Sequence, residues 1–154
     1  MKQEILNIPF YIQQIKTEQF AIIAEHFSPP APVELLSKIE FKLDLQQKRI
    51  GTFMSFEFHQ NQKVFIKIAC SCHFQIEPGS WDGLPQTESS ITIPKPFLLH
   101  IATITTGTAR GVLSCKTEGG HSVDQAKVDH LGVAALLAID LCRGAAKNLG
   151  GRGA

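Results

Sequence analysis

Between residues 34 and 76 apolar and polar side chains alternate almost without a break. Ile39, Phe41, Leu43 and Leu45 are separated by Glu40, Lys42 and Asp44. Met54, Phe56 and Phe58 are separated by Ser55 and Glu57, and the run from Val64 to Ile76 repeats the pattern through Ile66, Ile68, Cys70, Cys72 and Phe74. A strand turns successive side chains to opposite faces, so a period of two predicts strands with one apolar and one wet face. The interruptions at Gln46–Arg49 and Gln60–Lys63 are short and polar, as hairpin loops are. The three segments therefore form an antiparallel meander with one apolar side, and function turns on what covers that side.

Upstream, Phe20, Ile22 and Ala24 mark a first strand over 19–27. Ser28-Pro29-Pro30-Ala31-Pro32 stops it and forms a stiff connection. Residues 77–90 read as a loop anchored by Trp81. Pro94 and Pro96 then open a helical period: Phe97, Ile101, Ile104, Thr108 and Val112 recur at three and four. Gly107, Gly111 and four threonines give this helix poor intrinsic propensity. Tertiary or subunit contact must offset that cost, which marks Gly107, Thr108 and Gly111 as an oligomer interface. Gly119-Gly120 ends the segment, and a second helical stripe starts at Asp124 with Val128, Leu131, Ala135, Ala138 and Cys142. The Gly-rich end from 148 to 154 is expected to fray. One α+β domain over 1–154 accommodates all of this. It comprises a four-stranded antiparallel sheet followed by two helices.

Composition narrows the function. A net charge of +1 without a basic cluster argues against nucleic acid as partner. Ten Phe against one Trp and one Tyr supply apolar area without a polar handle, suited to a core or an apolar contact surface. The longest apolar run, Gly132–Ile139, is far below the roughly 18 residues of a membrane helix. The polar start and the four cysteines fit a cytoplasmic chain with reduced thiols.

Cys70-Ser71-Cys72-His73 looks metal-binding, but on a strand His73 points away from both cysteines, so the three cannot share one ion. Buried core thiols, with no metal and no cofactor, are the expectation. The six histidines are scattered and none has metal-ligand spacing. Gly107-Thr108-Ala109-Arg110-Gly111 lacks the Lys-Ser/Thr of a phosphate loop. Nothing in the chain asks for an enzyme.

Several segments carry a likeness in order: Glu18-Gln19-Phe20-Ala21-Ile22, Phe27-Ser28-Pro29-Pro30-Ala31-Pro32, Ile39-Glu40-Phe41-Lys42-Leu43, Ser71-Cys72-His73-Phe74-Gln75-Ile76, Ile93-Pro94-Lys95-Pro96-Phe97-Leu98, and Gly107 to Leu113 with Lys116-Thr117-Glu118-Gly119. Together, over roughly 10–120, they resemble the SecB-like family of protein-export chaperones and their divergent relatives. The resemblance implies a dimer of dimers that holds unfolded clients in apolar grooves without ATP or cofactor, and hands them to the SecA motor or protects an antitoxin. By resemblance and position, Phe27, Ile39, Phe41, Leu43, Ile66 and Trp81 are the expected client-binding residues. The chain departs from the well-known members in being near neutral and in ending Gly-Gly-Arg-Gly-Ala rather than in an acidic tail. Residues 121–154 also diverge. Two rival readings are an apolar small-ligand carrier and a hot-dog-like thioesterase. The latter would need a carboxylate on its helix, and 97–115 contains none.

Overall fold

A computed structural model of the chain describes residues 7–28 and 30–118. Four antiparallel strands, β1 (Phe10–Ile22), β2 (Glu34–Asp44), β3 (Arg49–Gln60) and β4 (Lys63–Ile76), form one sheet in the order β1-β4-β3-β2. The β2-β3-β4 meander is as expected, and β1 adds on the far side of β4. The second helical stripe, from Asp124, lies outside the described residues.

The hairpins follow from local chemistry. Gln60 pairs with Lys63, leaving Asn61 and Gln62 as a two-residue loop, and both have positive φ (50° and 63°). That is the backbone hand of the turn that matches strand twist. Between β2 and β3, the Asp44 carboxylate accepts the Gln47 N–H (2.9 Å) and a bond from Arg49 Nη2 (3.1 Å), closing the longer loop.

The first strand is longer than its sequence pattern. It begins at Phe10, and residues 24–26 are a single 3-10 turn rather than strand. The reason is two irregularities in its pairing with β4, between Ile12 and Gln14 and between Thr17 and Gln19. Each inserts a residue and resets the alternation. The face opposite Phe74, Cys72, Cys70, Ile68 and Ile66 is therefore Ile12, Ile15, Thr17, Phe20 and Ile22, which no single period of two picks out.

The segment after β4 is also more ordered than a loop. Pro78–Asp82 forms a short helix, α1, whose first N–H groups from Gly79 (3.0 Å) and Ser80 (2.6 Å) donate to the Glu77 carboxylate. This capping holds Glu77 below the ordinary carboxylate range. Trp81 is fully buried there.

The long helix α2 (Lys95–Thr117) lies across β3 and β4. It buries a stripe of every fourth residue: Phe97, Ile101, Thr105, Ala109, Leu113 and Thr117. The narrowness of that stripe limits how much sheet it covers. Two apolar clusters form beneath it. One gathers Phe56, Phe58, Phe65, Ile66 and Ile68 with Ala109 and Leu113; the other gathers Ile50, Phe74, Ile76 and Trp81 with Phe97 and Ile101.

Candidate functional site

Directly paired residues in an antiparallel sheet share a face. Ile39, Phe41 and Leu43 on β2 pair with Met54, Thr52 and Ile50 on β3, so all six point to the side that carries α2. The inner three are buried beneath the helix. The outer three are not: Ile39 is 39%, Phe41 37% and Leu43 43% exposed. Across the helix, Ile12 and Ile15 of β1 occupy the same face at 41% and 51%. A single helix is about 10 Å wide, whereas four strands spaced about 4.8 Å apart are wider. The helix thus covers the two central strands and leaves an apolar ledge on each side. Scattered exposed apolar residues are ordinary, but contiguous rows of them mark a contact surface.

Three of the six predicted binding residues, Ile39, Phe41 and Leu43, line one ledge together. The other three lie in the core. Ile66 is fully buried, Trp81 is 1% exposed, and Phe27 packs on Phe65 with ring centroids 5.2 Å apart. Phe27 and Trp81 were expected to bind clients by resemblance and by position, Phe27 at the start of the Pro-rich corner and Trp81 within a loop by composition. The 3-10 turn folds Phe27 inward, and α1 does the same for Trp81. The β1 ledge escaped the sequence pattern because of the irregular register, although Ile12 and Ile15 were visible as apolar residues three apart. Leu36 and Tyr11, also exposed, belong to the opposite face by pairing with Glu57 and Gln75.

That opposite face is polar and internally paired. Glu57 accepts from Lys67 (2.9 Å) and contacts His59 (3.2 Å), and these partners keep its carboxyl below the ordinary range. The Ser71 hydroxyl donates to Glu18 (2.6 Å), and His73 Nε2 lies 3.2 Å from the same oxygen. Serine sits between carboxylate and imidazole, so its proton is directed to Glu18 rather than to a histidine base. Burial lowers the pKa of His73, helped by nearby Lys16.

Cys70 and Cys72 are buried on the helix side, one in each cluster, while His73 faces the other way beside Phe53. Burial pushes the Cys70 thiol up to about 11. A surface cleft of about 490 Å³ is bordered by Pro9, Phe10, Tyr11, Gln75, Ile76, Glu77 and Pro78 at a sheet corner.

On the outer side of α2, Leu99, Thr103, Gly107, Gly111 and Cys115 follow one another at intervals of four and are exposed. A methyl group added at Gly107 or Gly111 would meet nothing within 4 Å. The Thr103, Thr106 and Thr108 hydroxyls each donate to the carbonyl four residues back, at 2.8 to 2.9 Å. Their polar groups are satisfied within the helix, so the stripe can meet another surface without leaving donors unpaired. Among the described residues no helix is long and apolar enough to cross a membrane.

No family model matches the chain, and no curated protein matches it. Among solved structures, a SecB-like chaperone of Mycobacterium tuberculosis, in complex with a ChAD peptide from the HigA1 antitoxin, aligns with a TM-score of 0.46 and 13% identity. The alignment covers 70% of this chain and 78% of that one. A protein of unknown function from Streptococcus agalactiae aligns with a TM-score of 0.39 and 14% identity, over 72% and 89% of the two chains. At such scores the fold rests on the chain's own strand order and helix placement.

Proposed function

We infer that this protein is a holding chaperone that binds unfolded or nascent polypeptides on the apolar ledges beside α2 and requires no nucleotide. The observation that carries this reading is the Ile39–Phe41–Leu43 row, three large apolar side chains each about two-fifths open along 11 residues of edge strand. An unfolded client offers apolar side chains of its own, and burial of both surfaces gains about 25 cal/mol per Å². The SecB-like order of segments supports the same role. It extends the role to a cytoplasmic homo-oligomer, a dimer of dimers that passes clients to an export motor or shields an antitoxin. The outer stripe of α2 around Gly107, Thr108 and Gly111 is the surface by which one copy meets another in this reading.

An apolar-ligand carrier would favour a closed pocket. The cleft of about 490 Å³ at the sheet corner is open to solvent rather than enclosed. A thioesterase would favour a carboxylate on the helix facing the sheet, and residues 95–117 contain no Asp or Glu. The decisive test is whether purified protein, without ATP, slows aggregation of several unrelated chemically unfolded proteins in near-stoichiometric amounts. No delay for any client, in any assembly state, refutes the role.

A further inference from the structure

The outer edge of β2 has no neighbour among the described strands, and all 11 of its residues are regularly paired on the inner side. The other edge, β1, is interrupted by two irregularities of the kind that blunt an edge against pairing. On its polar face β2 carries charges of alternating sign: Lys38, Glu40, Lys42 and Asp44. Lysines usually protect an edge, but alternating signs can also be self-complementary.

We propose that β2 pairs antiparallel with β2 of a second copy, in the register that places Phe41 opposite its own counterpart. A two-fold axis through residue 41, perpendicular to the sheet, sets residue i against 82 − i. Lys38 then faces Asp44, Glu40 faces Lys42, and each pair occurs twice. No like charges meet. Every other alignment that keeps the two helices on one side and pairs at least seven residues of β2 opposes like charges. Centring on residue 38 or 40 sets a charge against itself, centring on residue 37 sets Glu34 against Glu40, and centring on residue 39 sets Glu34 against Asp44. Direct cross-strand pairs of opposite sign stabilise a sheet and like pairs destabilise it. On the apolar face the same register sets Ile39 against Leu43 and Phe41 against Phe41, joining the two ledges.

The pairing stands on β2 alone, and it deepens the holding role by giving the ledge a shape. With strands about 4.8 Å apart and each α2 centred over β3 and β4, the two helix axes lie roughly 19 Å apart. Helices about 10 Å across leave a floor of roughly 9 Å between them, the width of one extended chain.

Two measurements test the pairing in the full-length protein. The first reads charge. Lys42→Glu alone sets Glu40 against a glutamate, and Glu40→Lys alone sets Lys42 against a lysine. Each should weaken association roughly tenfold or more, read as a fall in mass by light scattering, with an unchanged circular dichroism spectrum. Mixing the two variants should restore the assembly as a one-to-one heterodimer. The second reads register. In a background lacking Cys115 and Cys142, Phe41→Cys should cross-link to itself under mild oxidant, because directly opposed Cα atoms lie about 4.5–5.5 Å apart and a disulfide accepts that span. Ile39→Cys or Leu43→Cys alone should not, since each lies roughly 14 Å from its own copy, whereas the two together should. Unchanged mass in both charge variants, a monomeric unmodified protein, or cross-linking at 41 no faster than at 39 and 43 overturns the pairing. Loss of aggregation suppression with mass and cross-linking intact would instead count against the holding role.

Discussion

Replacing Ile39, Phe41 and Leu43 together by glutamine should abolish most client binding while leaving a folded sheet. The three side chains are 39%, 37% and 43% exposed. With full areas near 170–200 Å², about 70 Å² of each is open to a client. At about 25 cal/mol per Å², that is ~1.8 kcal/mol per residue and ~5 kcal/mol for the row. Ordering the client and imperfect fit consume part of this, and neighbouring residues do not add fully. The expected loss is about 3 kcal/mol, near 100-fold in Kd. Glutamine keeps an aliphatic stem on the sheet, so the buried three-fifths of each position is largely retained. The assay is fluorescence anisotropy of a labelled, reduced and alkylated unfolded protein, with circular dichroism and thermal melting alongside. Leu36→Gln is the control, since that side chain is 57% exposed but on the opposite face. Affinity within threefold of the unmodified protein in the triple variant, or an equal loss in the control, would refute the reasoning.

Other expectations follow from the core and the titrating groups. Trp81→Ala should destabilise the fold by about 3–5 kcal/mol in urea unfolding, because the indole is fully buried. A loss under 1 kcal/mol would contradict that packing. Phe27→Ser should likewise lower stability, which makes it a poor probe of binding. His73 has its pKa lowered below 6.5, so the unfolded chain takes up the proton first. Stability attributable to it is present above about pH 6.5 and is lost as pH falls through the folded value. Melting temperature should therefore drop on going from pH 7.5 towards 5.5, and His73→Gln should flatten that part of the profile. Peptide mapping after brief iodoacetamide treatment at pH 8 should find Cys115 modified and Cys70 protected, since one is exposed and the other is buried with a pKa near 11. Gly107→Leu should loosen the assembly if α2 meets another copy there; unchanged mass would remove that interface.

The sequence was most legible where the backbone was regular. β2, β3 and β4 could be read from alternation because their pairing runs nearly unbroken, and α2 from its prolines and spacing of three and four. β1 was half-legible: extra residues near 13 and 18 reset its period twice, so Ile15 and Thr17 fall out of step with Ile12, Phe20 and Ile22. Phe65 was missed for a related reason. An irregularity at Phe58/His59 lets Phe65 and Ile66 both reach the interior. The Phe41 row was read correctly as apolar, but alternation cannot tell a buried face from an uncovered one. That depends on the width of the covering helix. Trp81 and Phe27 failed in the other direction, because loop-like composition says nothing about a single turn that folds an aromatic inward.

The two apolar clusters divide the molecule crosswise. On β4 the division falls between Cys70 and Cys72, and on β3 it falls at Thr52, between Met54 and Ile50. On α2 it falls at Thr105, between Ala109 and Ile101, and the Thr105 hydroxyl bonds back to the Ile101 carbonyl at 2.8 Å. Thr52 Oγ1 is buried without a partner. A polar waist therefore separates two greasy centres along the length of one helix. Such a division favours opening in two steps, each releasing one half of α2 while the other stays docked. Amide protons in the first half of the helix, around Phe97 and Ile101, should then exchange as one group and those around Ala109 and Leu113 as another, each with its own opening free energy.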